Sequence, residues 1–405
     1  MVPEGWRKRS LEDVAHIQTG IAKGKKNIVD PVEKPYLRVA NVQDGHLDMK
    51  EIKMIEVARK DVARYSLQHG DIVLTEGGDF DKLGRGTMWA SQLPECLHQN
   101  HVFAVRVDRD QLLPEFFSAQ TNSSYGKGYF LSCAKRSTNL ASINSTQLKQ
   151  FPALVPPLPE QRKISDILST WDAAIEKTEA LLATAKAQKR ALMQSLLTGK
   201  RRFPEFEGQE WKEVRLGDVI TDVKRPRQWS DDALYRLISV RRRSGGLFHR
   251  EDLYGRDIKT KTLKNAQAGD FLISKMQVVH GAMGLVTDEF DEMQISGSYI
   301  SVVAKDPNQL RIEFFDWLSR MPEMYHRAYL CSYGVHIEKM TFSFDLFLKE
   351  KIVIPPSAAE QDRIVEALNC AQNEERELVD AITKLRTEKK ALMQQLLTGK
   401  RRVEL

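Results

Sequence analysis

The sequence predicts an α+β protein: two mixed α/β domains, each followed by a long helix, the two helices pairing antiparallel as a coiled coil with pseudo-two-fold internal symmetry. Two observations carry this prediction. The phrase Ala-Leu-Met-Gln-x-Leu-Leu-Thr-Gly-Lys-Arg-Arg at residues 191–202 returns 200 residues later at 391–402, and Pro156-Pro157 with Glu160-Gln161 returns as Pro355-Pro356 with Glu360-Gln361. Upstream of each phrase, apolar residues recur in alternating steps of four and three, which lays one stripe along a helix.

The elements follow in order. Residues 1–155 read as a first α/β domain with many short strands. Residues 156–203 read as the first long helix, with prolines 156, 157 and 159 at its approach and Gly199 at its stop. Its stripe comprises Ile164, Leu168, Trp171, Ile175, Leu182, Ala185, Leu192 and Leu196, interrupted by Thr178 and Lys189. Trp171 is expected in the core. Residues 204–353 form the second α/β domain, weakly aligned with the first. Trp6 and Leu11-x-Asp13-Val14 echo Trp211 and Leu216-x-Asp218-Val219; Gly70-Asp71 echoes Gly269-Asp270, and Glu115-Phe116-Phe117 echoes Glu313-Phe314-Phe315. Each Gly-Asp pair reads as a turn feeding a buried strand. Residues 354–405 hold the second long helix, striped by Ile364, Leu368, Ala371, Leu378, Ile382, Leu385, Leu392 and Leu396, with Ser357 and Glu360 at capping-box spacing. A helix of about 40 residues is about 60 Å long and must bury its seam. The other copy is the natural partner, and an internal two-fold requires the pair to be antiparallel.

At 405 residues the chain accommodates several cores, and 29% charged residues with a mean hydropathy of −0.43 describe a soluble protein. No apolar run reaches the roughly 20 residues of a membrane span, and Met-Val-Pro-Glu-Gly-Trp-Arg reads as no signal peptide, so a cytoplasmic location is expected. Four scattered cysteines without Cys-x-x-Cys or matching histidines predict neither zinc nor a disulfide framework. A net charge of +6 permits nucleic acid without requiring it.

Catalytic motifs are missing. Both Pro-Pro pairs lack the Asn-Pro-Pro-aromatic context of an adenine methyltransferase. Thr198-Gly199-Lys200 has Gln194 where a phosphate loop needs its first glycine and Arg201 where it needs Ser or Thr. Glu51-Ile52-Lys53, Asp257-Ile258-Lys259 and His98-Gln99-Asn100-His101 are short enough to arise by chance. No catalytic or metal-binding residue is assigned.

Two variable domains, each leading into a helix that opens with Pro-Pro and Glu-Gln and closes with Leu-Leu-Thr-Gly-Lys-Arg-Arg, resemble the DNA specificity subunit of a type I restriction–modification system across essentially the whole chain. The resemblance implies that each variable domain is a target recognition domain reading one half of a bipartite, asymmetric site in double-stranded DNA. It implies that the paired helices set the gap and dock two methyltransferase subunits, and that two restriction subunits can join. This chain would bind no cofactor; its partners would use S-adenosylmethionine, with ATP and magnesium where a restriction subunit is present.

Base reading calls for Arg, Asn or Gln, with His and Tyr as further donors, and phosphate binding calls for Lys and Arg. In the first domain the candidates are Lys25, Lys26, Arg38, Asn41, Arg85, Lys135, Arg136 and Asn139. In the second they are Arg225, Arg227, Gln228, Arg241, Arg242, Arg243, His249, Lys275, Gln277, Tyr333 and His336. The run Arg241–Arg243 stands first among them. Lys200-Arg201-Arg202 and Lys400-Arg401-Arg402 are read as cations favoured at a helix C-terminus by its dipole, ahead of DNA contact.

Overall fold

The computed structural model describes residues 2–24, 27–78, 83–137 and 140–404. They divide into two compact units, Met1–Glu179 with Asp380–Leu405, and Ala180–Val379. The long helices span Leu158–Leu196 and Ala358–Leu396. The pattern of the sequence places boundaries before and after these helices, whereas the compact units part within them. Antiparallel pairing explains the difference, since each unit holds the opening half of one helix and the closing half of the other.

In the first unit, Asp172 pairs with Lys389, and Glu179 Oε1 accepts from Arg386 Nη2 at 2.5 Å, so partners climb one helix as they descend the other. In the second, Lys189 meets Glu375 at 2.5 Å. Ile164, Leu168, Ala185 and Leu196 are buried on the first helix, as are Ile364, Leu368, Ile382 and Leu396 on the second. Trp171 is half-buried on the stripe. The polar interruptions are satisfied locally: Lys189 and Lys389 take the carboxylates just named, and Thr178 donates to the carbonyl of Ala174 at 2.7 Å.

Each unit is built on the same sheet plan. In the first, Ala15–Thr19, Val102–Val107, Ile72–Thr75 and Gly86–Met88 form an antiparallel sheet in that order. In the second, Ile220–Val223, Tyr299–Ala304, Phe271–Ser274 and Met283–Leu285 repeat it. A second sheet in each unit centres on Pro31–Leu37 or Leu234–Val240. A helix pair follows, Pro114–Asn122 with Ser124–Cys133 in one and Ile312–Ser319 with Pro322–Leu330 in the other. The Phe pairs at 116–117 and 314–315 are fully buried. Trp6 meets Phe116 edge-on at 6.2 Å, as Trp211 meets Phe314 at 6.4 Å.

The Gly-Asp turns are structural, as their pattern indicates. Gly70 and Gly269 adopt φ of +92° and +88°, the left-handed region that favours glycine. Asp71, buried, accepts the Gln68 amide at 2.8 Å and both arms of Arg106 at 2.8 and 2.7 Å. Asp270 accepts the Gln267 amide at 3.0 Å and Arg225 at 2.6 Å.

The repeated Glu-Gln and Lys-Arg-Arg phrases explain one another. Glu160 is buried and accepts both arms of Arg402, at 2.6 and 2.9 Å, and Trp6 Nε1 at 3.0 Å. In the other unit Glu360 accepts Arg202 at 2.8 and 2.7 Å and Trp211 Nε1 at 3.2 Å. The start of one helix is thus clasped to the end of the other. Glu360 therefore does not serve the capping box expected from Ser357, because the charged guanidinium is the stronger partner for a buried carboxylate. The adjacent glutamine ties the helix start to its own unit. Gln161 accepts the Leu113 amide at 2.7 Å and donates to Gln111 and Pro156 carbonyls at 2.8 Å. Gln361 repeats this with Arg311, Gln309 and Pro355. The helix-dipole reading of the basic triplets is accordingly incomplete: their last arginine is an internal clasp, whereas Lys200, Lys400 and Arg401 are exposed.

Candidate nucleic-acid interface

In each unit three loops meet at the exit of the buried central strand. In the first, the turn at 42–47, the segment after Thr75 and the hairpin Lys135–Ser142 converge. Gly45 donates to the carbonyl of Gly86 at 3.1 Å, Arg85 Nη1 to Gln43 Oε1 at 2.5 Å, and Leu140–Ser142 pairs with Gly77–Gly78. Lys127 joins the group through Asp44 at 2.6 Å, and His101 through Glu76 at 2.6 Å.

In the second unit the same positions hold the loop 241–246, the segment 275–281 and the hairpin 332–342. Arg242 links all three, with Nε on Gln277 Oε1 at 2.6 Å and Nη2 on Glu338 Oε2 at 2.9 Å. His280 Nε2 lies 3.0 Å from Glu338. The main-chain amides of Arg243 and Ser244 donate to the carbonyls of His280 and Gly281 at 2.7 and 2.9 Å. Both residues take positive φ, +58° and +50°, which costs non-glycine residues of order 1–3 kcal/mol each and typifies functional loops. Arg243 is exposed, and none of the described side chains pairs with its guanidinium. Burial, with Lys275 and Lys224 nearby, holds the Lys264 ammonium below its usual range.

The sequence candidates are distributed unevenly over these surfaces. Arg241, Arg242, Arg243, Lys275, Gln277, Tyr333 and His336 all fall on the three converging loops of the second unit, and Arg85 on those of the first. Arg241 also stacks over Phe248 at 4.5 Å. Others are committed elsewhere. Asn41 is buried, its amide donating to the carbonyls of Asp48 and Glu51 at 2.9 and 3.0 Å. Arg225 holds Asp270, and Arg38 lies half-buried 3.9 Å from Glu51. Arg227 is exposed over the Tyr235 ring at 5.9 Å, Gln228 is exposed beside it, and His249 pairs with Asp252 at 2.6 Å on the strand Leu247–Tyr254. Lys25, Lys26 and Asn139 lie outside the described residues; Lys135 and Arg136 lie on the strand Lys135–Ser137, their side chains likewise outside.

Gln43, Lys127, His280 and Glu338 were not singled out from sequence, and His101 only within a fragment short enough to arise by chance. They are single polar residues with no local pattern, and only the meeting of distant loops selects them. His98 is buried with its imidazole held below the usual range by desolvation, Glu51 pairs with Lys53, and no group of side chains able to hold a metal occurs among the described residues. No helix among them is long and apolar enough to cross a membrane.

Comparison with known proteins shows what this arrangement resembles. Residues 3–186 match the type I restriction modification DNA specificity domain. The chain is 27% identical over 222 residues to the putative type I restriction enzyme MjaX specificity subunit of Methanocaldococcus jannaschii, covering 55% of this chain and 51% of that protein. The chain thus spans about half the length of that curated relative. Its fold resembles the HsdS subunit from Thermoanaerobacter tengcongensis, with a TM-score of 0.54, 19% identity and 98% of each chain covered. It also resembles the type I restriction–modification S subunit from M. genitalium, with a TM-score of 0.57, 12% identity and 99% and 96% covered. The repeated sheet plan and the two clasped helices thus accompany a match to the type I restriction modification DNA specificity domain over residues 3–186 and a fold similar to that of solved type I specificity subunits.

Proposed function

We propose that this chain is a non-catalytic DNA-reading subunit in which each unit reads one half of a bipartite, asymmetric site in double-stranded DNA. One observation carries the reading. Three loops meet at the same place in both units, on a framework that repeats, while their sequences differ: Arg-Arg-Arg-Ser-Gly-Gly at 241–246 stands where the first unit has Val-Gln-Asp-Gly-His at 42–46. Equivalent placement with unlike side chains suits two readers of unlike sequences. The exposed cations supply phosphate contacts, and Gln277, His336 and Tyr333 supply donors for base edges.

The helices are proposed to set the gap between half-sites and to dock two methyltransferase subunits. Burial accounts for the identity of Leu192, Leu196 and Leu197 with Leu392, Leu396 and Leu397. It does not account for exposed Ala191, Gln194, Lys200 and Arg201 recurring as Ala391, Gln394, Lys400 and Arg401. Exposed residues kept twice in one chain suit a partner bound twice. S-adenosylmethionine would be bound and used by those partners, and ATP and magnesium by restriction subunits where they join.

Long-read mapping of modified adenines in cells carrying the chain with its methyltransferase tests this. A bipartite motif is expected, and exchange of residues 1–155 for another such domain should alter one half-site alone. Alteration of both halves, or methylation without any motif, would refute modular reading.

A further inference from the structure

The hairpin 332–342 of the second unit presents apolar side chains to solvent, carries exposed Lys339, and is joined to the arginine loop 241–246 through Arg242 and Glu338. Val335 is 96% exposed, Tyr333 61% and Ile337 50%. The tip is anchored, not frayed. Met340 and Phe342 are buried behind it, the Phe342 amide donates to the Lys275 carbonyl at 3.0 Å, and Glu338 is held by Arg242 and His280. Gly334, at φ +146°, lets the strand Ser332–Tyr333 turn outward into this tip. Exposed valine and isoleucine are unfavourable in water, and a loop fixed in this way keeps them there.

We propose that this tip is a wedge: Val335, with Ile337 or Tyr333 beside it, inserts between bases of the half-site read by the second unit and unstacks one step. The inference rests on the DNA-reading function proposed above. Apolar side chains flanked by cations are the device by which proteins kink a duplex, the cations holding the phosphates on either side of the opened step. Exposed Arg243 and Lys339 supply them here. A docking surface for a partner is the competing occupant, and the repeat argues against it. A partner bound by both copies needs the feature twice, whereas in the first unit the sequence linking the strands Lys135–Ser137 and Leu140–Ser142 is the polar pair Thr138-Asn139. An apolar sequence at this position in one copy, against a polar one in the other, fits an asymmetric ligand.

The test uses the full chain assembled with its methyltransferase and a duplex carrying the mapped bipartite site, with 2-aminopurine placed in turn at each step of the second unit's half-site, the methylated adenine excepted. Wild type should give a several-fold fluorescence rise at one step. The double variant Val335→Ser, Ile337→Ser, altering exposed positions that the fold does not need, should abolish that rise and weaken binding by roughly tenfold or more. A duplex with an abasic gap at that step, already unstacked, should bind the variant nearly as well as wild type. An unchanged signal and affinity in the variant, or no rise at any step with wild type bound, would overturn the wedge. Loss of methyltransferase from the variant complex would also overturn it, identifying the tip as a protein contact. Failure of the wild-type complex to bind the duplex at all would instead overturn the DNA-reading function.

Discussion

Removing one arm of each helix clasp tests how the two repeated phrases hold the fold. Arg202→Met and Arg402→Met keep side-chain length and remove charge. Each leaves a buried carboxylate, Glu360 or Glu160, with a single tryptophan N–H among the described partners. Breaking a buried pair by deleting one member costs about 3–5 kcal/mol. The two clasps differ in access to water: Arg202 has 16% of its side chain exposed and Arg402 46%. Water can resolvate the second site more readily, so about 3 kcal/mol is expected for Arg202→Met and a smaller loss for Arg402→Met. For units of this size 1 kcal/mol moves the melting temperature by about 2–4 °C. Urea unfolding should show the order in its midpoints at unchanged slope. Adding Glu360→Met to Arg202→Met should restore part of the loss, since an apolar pair strands no charge. If the arginine variants ranked in reverse, or the double change simply added to the loss, the clasp would not be the determinant described.

Three further outcomes follow from particular positions. Gly399→Ala should destabilise more than Gly208→Ala: both glycines have positive φ, +66° and +89°, but a Cβ at 399 would sit 2.3 Å from Pro3 Cγ while nothing lies within 4 Å at 208. Thermal melts should put Gly208→Ala at about 1 kcal/mol and Gly399→Ala above it. His98, its Nδ1 2.7 Å from the Val102 carbonyl, is depressed by burial, so the unfolded chain binds its proton first. Its stability contribution is complete above the unfolded value of about 6.5 and is lost as pH falls below it; the urea midpoint should decline there, and less so in His98→Gln. For DNA binding, Arg243→Ala should reduce the slope of log affinity against log salt by about 0.9, whereas Asn41→Ala should lower stability and leave that slope unchanged.

The repeat, the striped helices, their antiparallel pairing and the α+β class are local or periodic properties, and so the chain order alone determined them. A stripe needs a partner, and an internal copy provides one; Gly199 and Gly399, at φ +69° and +66°, end the helices where the pattern ends. The tertiary structure decided what no periodicity encodes. It divided the compact units within the helices, because each helix is shared between two cores. It turned Arg202 and Arg402 from helix-end cations into partners of buried glutamates 158 and 242 residues away. It withdrew Asn41 and Arg225 into the scaffold while gathering Arg242, Gln277 and Glu338 from three separate loops. A polar residue's role depends on which distant atoms reach it, and that distance is set by the fold.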